Sequence, residues 1–440
     1  MLKPAGAAGA AQAGRLLVRT VAVPDRGDLL AELPRPDPLA WVQHGAGLVG
    51  WGEAARVTLP AGDDRFTAAE KWLGSVLDGA EVDDRVRVRG TGPVAFGSFT
   101  FDASSDGSVL IVPRVVLGRD GRGLAWLTSV TPRGDAFPGD PAALAGTARL
   151  PKSPRPARPP RPPRPPRGVR WHDGSLSAPQ WERAVADAVA AIKAGSLRKV
   201  VLAQDLFATA AEPIDPRIPL RRLAARYPEC FTFACDGMIG ATPELLIRRS
   251  GREVSALVLA GTAPRGAHPA EDEALGSGLL VSAKDTEEHA YAVASMRETL
   301  GPLCDALDIE PRPALLKLPN LQHLGTRVRG TLTGAQPARS ALALAAAVHP
   351  TAAVCGTPTG AALELIRELE HMDRERYAGA VGWVDADGNG EWGIALRCAQ
   401  LSGRTARLFA GCGIVAGSDP VAELAEAQVK FRPMRGALEG

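Results

Sequence analysis

Residues 151–168, PKSPRPARPPRPPRPPRG, constrain this chain more than any other stretch, because neither a helix nor a sheet can run through them. Nine prolines in that stretch fix φ and remove backbone donors. The expectation is a disordered, solvated insertion of polyproline II character, with use as an SH3-type ligand or a nucleic-acid arm as the alternative. Every regular element must lie before or after it. The charge is lopsided as well: residues 151–170 carry seven Lys/Arg and no Asp/Glu, so a whole-chain charge of +2 leaves −5 for the rest. That remainder offers no electrostatic footprint for nucleic acid and no basic face for a membrane.

Before the tract, residues 85–89, 94–101 and 109–117 cluster β-formers between Gly and Asp turns, which predicts a strand-rich part over 1–150. After it, Ser177 and Gln180 have the spacing of a capping box. Trp181, Val185, Val189 and Ile192 then recur near helical period until Gly195. A strand is expected over 198–207. Residues 378–384, 392–401 and 406–415, with a turn at 385–390, read as an antiparallel meander. Helices mixed with antiparallel strands point to α+β rather than a βαβ repeat. No apolar run approaches the ~20 residues that span a bilayer. The N-terminal Ala/Gly stretch lacks the bulky apolar core of a signal peptide. The six cysteines show no CxxC spacing, and a cytoplasmic protein with reduced, buried thiols is expected.

Two acidic clusters stand out. Glu423, Glu426 and Lys430 fall within ~60° of arc on a helix, and two carboxylates on one stripe repel unless a cation lies between them. A hard divalent ion is one such partner; taken alone, an ordinary salt-bridged face explains the pattern as well. The second cluster is KDTEEH (284–289), where Glu288 is a further candidate ligand, and it too can be a plain polar helix turn.

Eight blocks then occur in order: LRKVVLAQ (197–204), GATPELLIR (240–248), LAGTAPRG (259–266), KDTEEH (284–289), HPTAAVCGTPT (349–359), RYAGAVGW (376–383), GNGEWGIALRCAQL (388–401) and AGCGIVAGSDPVAELAEAQVK (410–430). Over residues 178–432 the chain resembles the chorismate-utilising family, which comprises isochorismate synthases, salicylate synthases and the synthase components for anthranilate and aminodeoxychorismate. The resemblance implies one domain over 1–440, two large antiparallel β-layers covered by helices as in anthranilate synthase component I, with 178–432 as the core that carries the active site.

It also implies roles. Lys199 matches the general base of the water-using branches, where anthranilate synthases typically carry glutamine. On its strand it points with Val201 and Ala203, an apolar face that favours the neutral amine. Glu244 matches the general acid that protonates the departing C4 hydroxyl of chorismate, and it must start protonated, which burial favours. Glu288 and Glu426 match magnesium ligands for the C1 carboxylate, with Glu423 as support and Glu287 as a possible neighbour. Arg397 and Lys430 match carboxylate contacts. Gly261, Thr262, Gly411 and Gly413 lie where small residues and backbone amides approach substrate, and Tyr377 and Leu396 belong to the same wall. His349 matches a histidine near the ring; a packing role is its ordinary reading. Gln204, Cys412, Ala352 and Ala427 depart from the family pattern, and Cys412 stands where a small Ala is usual.

The resemblance therefore implies a magnesium-dependent isochorismate synthase, a monomer acting on the small molecule chorismate, without nucleic acid or membrane, in menaquinone or siderophore supply. Two rivals stand beside it: a salicylate synthase, which goes on to eliminate pyruvate, and a catalytically inactive binding protein that recruits partners through the Pro/Arg tract.

Overall fold

The structure is a computed structural model that describes residues 15–34, 36–132, 163–334 and 339–440. Residues 151–162 of the Pro/Arg tract thus lie outside the described residues, and 163–168 carry no regular element.

The architecture is α+β, and the strand Ser108–Arg119 is where its two layers part. One edge of this strand pairs with Ala46–Leu59 along its whole length. The other edge is divided: residues 109–111 pair with Val94–Ser98, and 115–119 pair with Ala125–Pro132. From Ala46–Leu59 the first layer continues through Leu39–Gln43, Phe231–Cys235, Met238–Thr242, Cys398–Ser402 and Thr405–Ile414 to Lys199–Thr209. From Val94–Ser98 the second continues through Ala380–Asp385, Gly390–Ile394, Leu245–Ser250 and Glu253–Pro264 to Leu321–Leu332. Among the described pairings only Leu16–Val23 with Glu81–Asp84 is parallel.

Strands at the fork are covered on both sides, which is why Leu110, Val112 and Val116 are fully buried and the run 109–112 reads as unbroken apolar residues rather than an alternation. Phe99 stacks on Phe66 with centroids 4.1 Å apart and meets the edge of Trp392 at 5.6 Å, so the core sits between the layers. Helices close the outer faces. Ala178–Lys193 buries Trp181, Ala184, Val185, Ala188, Val189 and Ile192, the i, i+3, i+4 stripe of an amphipathic helix. Its start is fixed as the spacing suggested, with Gln180 Oε1 accepting from the Ser177 amide at 2.9 Å. Pro420–Glu439 packs beside it over Thr405–Ile414, and Ala283–Leu300 covers Glu253–Pro264.

Two expected strands take another form. Residues 85–89 are a turn, because the Asp84 carboxylate accepts from the amides of Val86 (2.9 Å) and Arg87 (3.0 Å) and Arg87 adopts φ 56°. The stretch 392–401 is two strands, Gly390–Ile394 and Cys398–Ser402, belonging to different layers. The chain crosses between layers at residues 395–397, where Arg397 adopts φ 49°. It makes the same passage at Pro243 and Glu244, between Met238–Thr242 and Leu245–Ser250. The two crossings are joined by the Ile394 amide donating to Glu244 O and the Ala241 amide to Arg397 O, both 3.3 Å.

The strand Lys199–Thr209 has one edge fully paired, Ile414↔Val200 through Thr405↔Thr209. Its other edge pairs with residues 356–357 near Lys199 and with Arg170–Asp173 at the far end. A buried ion pair fills the gap: Glu370 accepts from the Ala203 amide at 2.7 Å, while Arg374 donates to Val201 O at 2.6 Å and Val354 O at 2.9 Å and forks onto Glu370. Removing one partner leaves a buried charge uncompensated. Arg374→Leu is expected to lower unfolding free energy by about 3–5 kcal/mol in a denaturant titration, a loss that a surface arginine would not show.

Candidate active site

The two crossings and the start of Lys199–Thr209 surround one cleft, lined among others by Glu244, Gly261, Thr262, Glu288, Tyr377, Leu396, Arg397, Gly411, Gly413 and Lys430. Nearly the whole set singled out in the sequence is brought together, although it is drawn from strands of both layers and from two helices.

Lys199 is the first residue of its strand and is completely buried. Its Nζ lies 3.3 Å from Glu288 Oε1 and 3.5 Å from Glu288 O, on the helix Ala283–Leu300. The two meet over Gly413: a Cβ there would stand 2.0 Å from Glu288 Oε1 and 3.1 Å from Lys199 Cε. Glycine is thus required by the close approach of the helix to the strand. Gly261 serves a related purpose on the opposite layer. It adopts φ 77° at a register shift between Ala260 and Thr262, a bulge that re-aims the Thr262 side chain.

The helix Pro420–Glu439 contributes the other carboxylates. Glu423 is buried, with Oε1 2.5 Å from Lys284 Nζ and 2.8 Å from Ser418 Oγ. Glu426 Oε1 lies 2.5 Å from Lys430 Nζ, which also donates to Gly411 O at 2.8 Å. Burial, and then the neighbouring Glu426, raise the Glu423 carboxyl; burial acts on Glu426 likewise, but the Lys430 ammonium outweighs it and holds that carboxyl below its usual range. The Cys412 thiol donates to Glu423 O at 3.3 Å, and burial pushes its pKa far up, so it fills space beside the carboxylates as a neutral group.

Glu244 occupies the crossing between layers and is 4% exposed. Burial raises its carboxyl from 4.5 to about 8 against the opposing pull of the Leu259 amide and the Lys199, Arg397 and Lys430 charges. The protonated acid is therefore its resting form at neutral pH. Tyr377 is buried and stacks on Phe409 at 5.1 Å.

Two positions named from the sequence lie elsewhere. His349 does not line the cleft: its Nε2 contacts Phe101 O at 3.1 Å and its ring packs against Phe66 and Phe101, with burial pushing its pKa down to about 4. Glu287 is exposed on the outer side of its helix, accepting from the Tyr291 hydroxyl at 3.0 Å.

One residue that sequence reading passed over is central. His323 Nε2 lies 3.1 Å from Arg397 Nη2, and its Nδ1 lies 3.1 Å from Thr262 Oγ1 and 3.3 Å from Gly261 O. Burial, then Arg397, depress its pKa far below 6.5. A neutral ring with Nδ1–H toward the Gly261 carbonyl leaves Nε2 to accept from Arg397 and so aims the guanidinium. The available signal was a polar Gln322-His323 pair between Leu321 and Leu324.

The sequence matches the chorismate-binding enzyme family over residues 40–439, and the chain belongs to that family. Isochorismate synthase DhbC of Bacillus subtilis is 41% identical over 283 residues, 62% of this chain and 71% of that protein. Among solved structures, the menaquinone-specific isochorismate synthase MenF of Escherichia coli superposes with a TM-score of 0.77 at 25% identity, covering 97% of this chain and 96% of that one. The putative 2,3-dihydroxybenzoate-specific isochorismate synthase DhbC of Bacillus anthracis gives 0.74 at 30% identity, covering 93% and 98%.

Because a methyl group at 413 would displace Glu288 and press on Lys199, Gly413→Ala is expected to lower kcat/KM on chorismate by about 100-fold, the scale of a one-ångström misplacement. Circular dichroism should remain that of the wild type; undiminished turnover would show that this contact is not needed for the chemistry.

Proposed function

We propose that Lys199 and Glu244 are the base and the acid of water addition to chorismate: the chain is an isochorismate synthase, an isomerase. The observation that carries the reading is a deeply buried carboxylic acid, its pKa raised by burial to about 8, lining the same cleft as Glu288, which is paired with the fully buried Lys199. Lys199 takes a proton from the water whose oxygen bonds to C2 of the ring. The ring double bonds shift, the C4–O bond breaks, and Glu244 gives its proton to the departing hydroxyl, so one water enters and one leaves. Arg397, aimed by His323, and Lys430 supply fixed positive charge for the substrate carboxylates.

Divalent-metal dependence fits the donor set. Glu288, Glu426 and Glu423 present hard carboxylate oxygens on two facing helices, and one ligand atom each of Cys412, Glu423 and Glu426 lies within 4.8 Å of the others. Gly413 leaves the space that the Glu288 carboxylate occupies. Magnesium held there by Glu288 and Glu426, with Glu423 in support, would neutralise and orient the C1 carboxylate. No described helix is long and apolar enough to cross a membrane; the six cysteines, all free and five of them buried, favour a reducing compartment such as the cytoplasm.

Incubation with chorismate and Mg²⁺, followed by product chromatography, should yield isochorismate; salicylate with free pyruvate would overturn this assignment in favour of a pyruvate-eliminating enzyme. Lys199→Gln should retain substrate binding by calorimetry and lose about 100-fold or more in turnover. A second expectation concerns pH. Glu244 acts as the protonated acid, so activity is present below its raised pKa and is lost as pH rises through it. The wild-type kcat/KM should fall on an alkaline limb near pH 8, and Glu244→Gln should be slow at every pH. A wild-type profile flat from pH 6 to 10 would remove Glu244 from this role.

A further inference from the structure

Each carboxylate assigned to the metal is paired with a lysine: Glu288 with Lys199, Glu426 with Lys430 and Glu423 with Lys284. Two of these lysines have nowhere else to go. The Lys199 side chain is 0% exposed and that of Lys430 9%. Lys284 differs. It stands in the first turn of Ala283–Leu300 with its side chain 32% exposed, whereas that of Glu423 is 2% exposed. A four-carbon stem that already reaches solvent can swing its ammonium into water, and the buried carboxylate cannot follow.

We propose that Lys284 is a displaceable counter-cation of the metal site: it neutralises Glu423 while the site holds no metal and surrenders that carboxylate to an incoming divalent ion. The inference rests on the metal reading given above. Charge balance supports it. Lys284 and Lys430 already cancel Glu423 and Glu426, so a divalent ion added with both lysines in place finds no free negative charge on that helix and brings uncompensated positive charge into a buried pocket. Releasing the one ammonium that can reach water frees one carboxylate charge for the ion before substrate brings its own carboxylates. Glu423 stays aimed after the exchange, because Ser418 Oγ holds the same Oε1 at 2.8 Å. Among the described residues, Lys284 to Glu423 is also the ion pair that joins the two ligand-bearing helices.

The test uses Mn²⁺ as the probe, with free ion read by electron paramagnetic resonance, on full-length wild type and Lys284→Met. Displacement predicts that the variant binds Mn²⁺ about five-fold or more tightly, since one competing charge is gone, while its metal-free form melts several degrees lower. A residue that only braces the site would give equal or weaker binding in the variant, and that result overturns the proposal. Should Lys284→Met fail to fold, amine acetylation of the wild type followed by mass spectrometry decides. Labelling of Lys284 should rise several-fold on adding Mn²⁺ while Lys199 stays protected, and unchanged labelling of Lys284 overturns the proposal. Wild type that binds no Mn²⁺ at all would instead remove the metal assignment beneath it, an outcome distinct from either.

Discussion

Burying Glu288 and Glu423 and half-burying Glu426 on two helices is possible only because each has a lysine beside it. An isolated carboxylate in such a place would neutralise or open the packing. Lys199 to Glu288 ties a strand to a helix and Lys284 to Glu423 ties two helices, so charge pairing across elements helps to hold the cleft in shape, while Lys430 pairs with Glu426 within one helix. The chemistry is arranged around that lattice. Glu244 forms no ion pair among the described residues, and burial outweighs the pull of Lys199, Arg397 and Lys430, so it is the carboxyl that keeps its proton.

The layers supply the frame. The chain crosses between them at 243–244 and again at 395–397, and the crossings deliver Glu244 and Arg397 to the same cleft. Crossing backbone cannot complete a ladder with either layer. The bonds from Ile394 to Glu244 O and from Ala241 to Arg397 O satisfy groups that would otherwise be buried and unpaired. The positive φ at Arg397 is the local cost of turning the side chain inward.

Much of this was legible in the residues. The helix after Ser177, the strand that begins with Lys199 and the stripe of Glu423, Glu426 and Lys430 follow from spacing alone, and the block order named the family and its two-layer fold. What escaped was long-range. Residues 392–401 look like one strand because their apolar pattern continues through the break, and only pairing with two different layers reveals the crossing. His323 escaped because its partners, Thr262 and Arg397, are some sixty and seventy positions away. His349 looked like a site residue within a family block, yet its ring is absorbed by two phenylalanines contributed from the N-terminal part of the chain. Glu287 adjoins Glu288 in sequence, but one residue on a helix is a 100° turn, enough to send it to solvent.

The strand Arg170–Asp173 is the first regular element after the proline-rich tract, and it joins Lys199–Thr209 only at the end remote from Lys199, from Asp173↔Leu206 to Arg170↔Thr209. Seven residues of extended chain separate Leu206 from the lysine, roughly 23 Å at strand rise. The re-entry point is clamped: Arg435 lies over the Trp171 ring at 4.7 Å, and the Trp171 indole donates to Glu439 at 2.5 Å. Chain arriving ahead of Arg170 therefore re-enters the fold at this clamp, at the end of the strand farthest from Lys199.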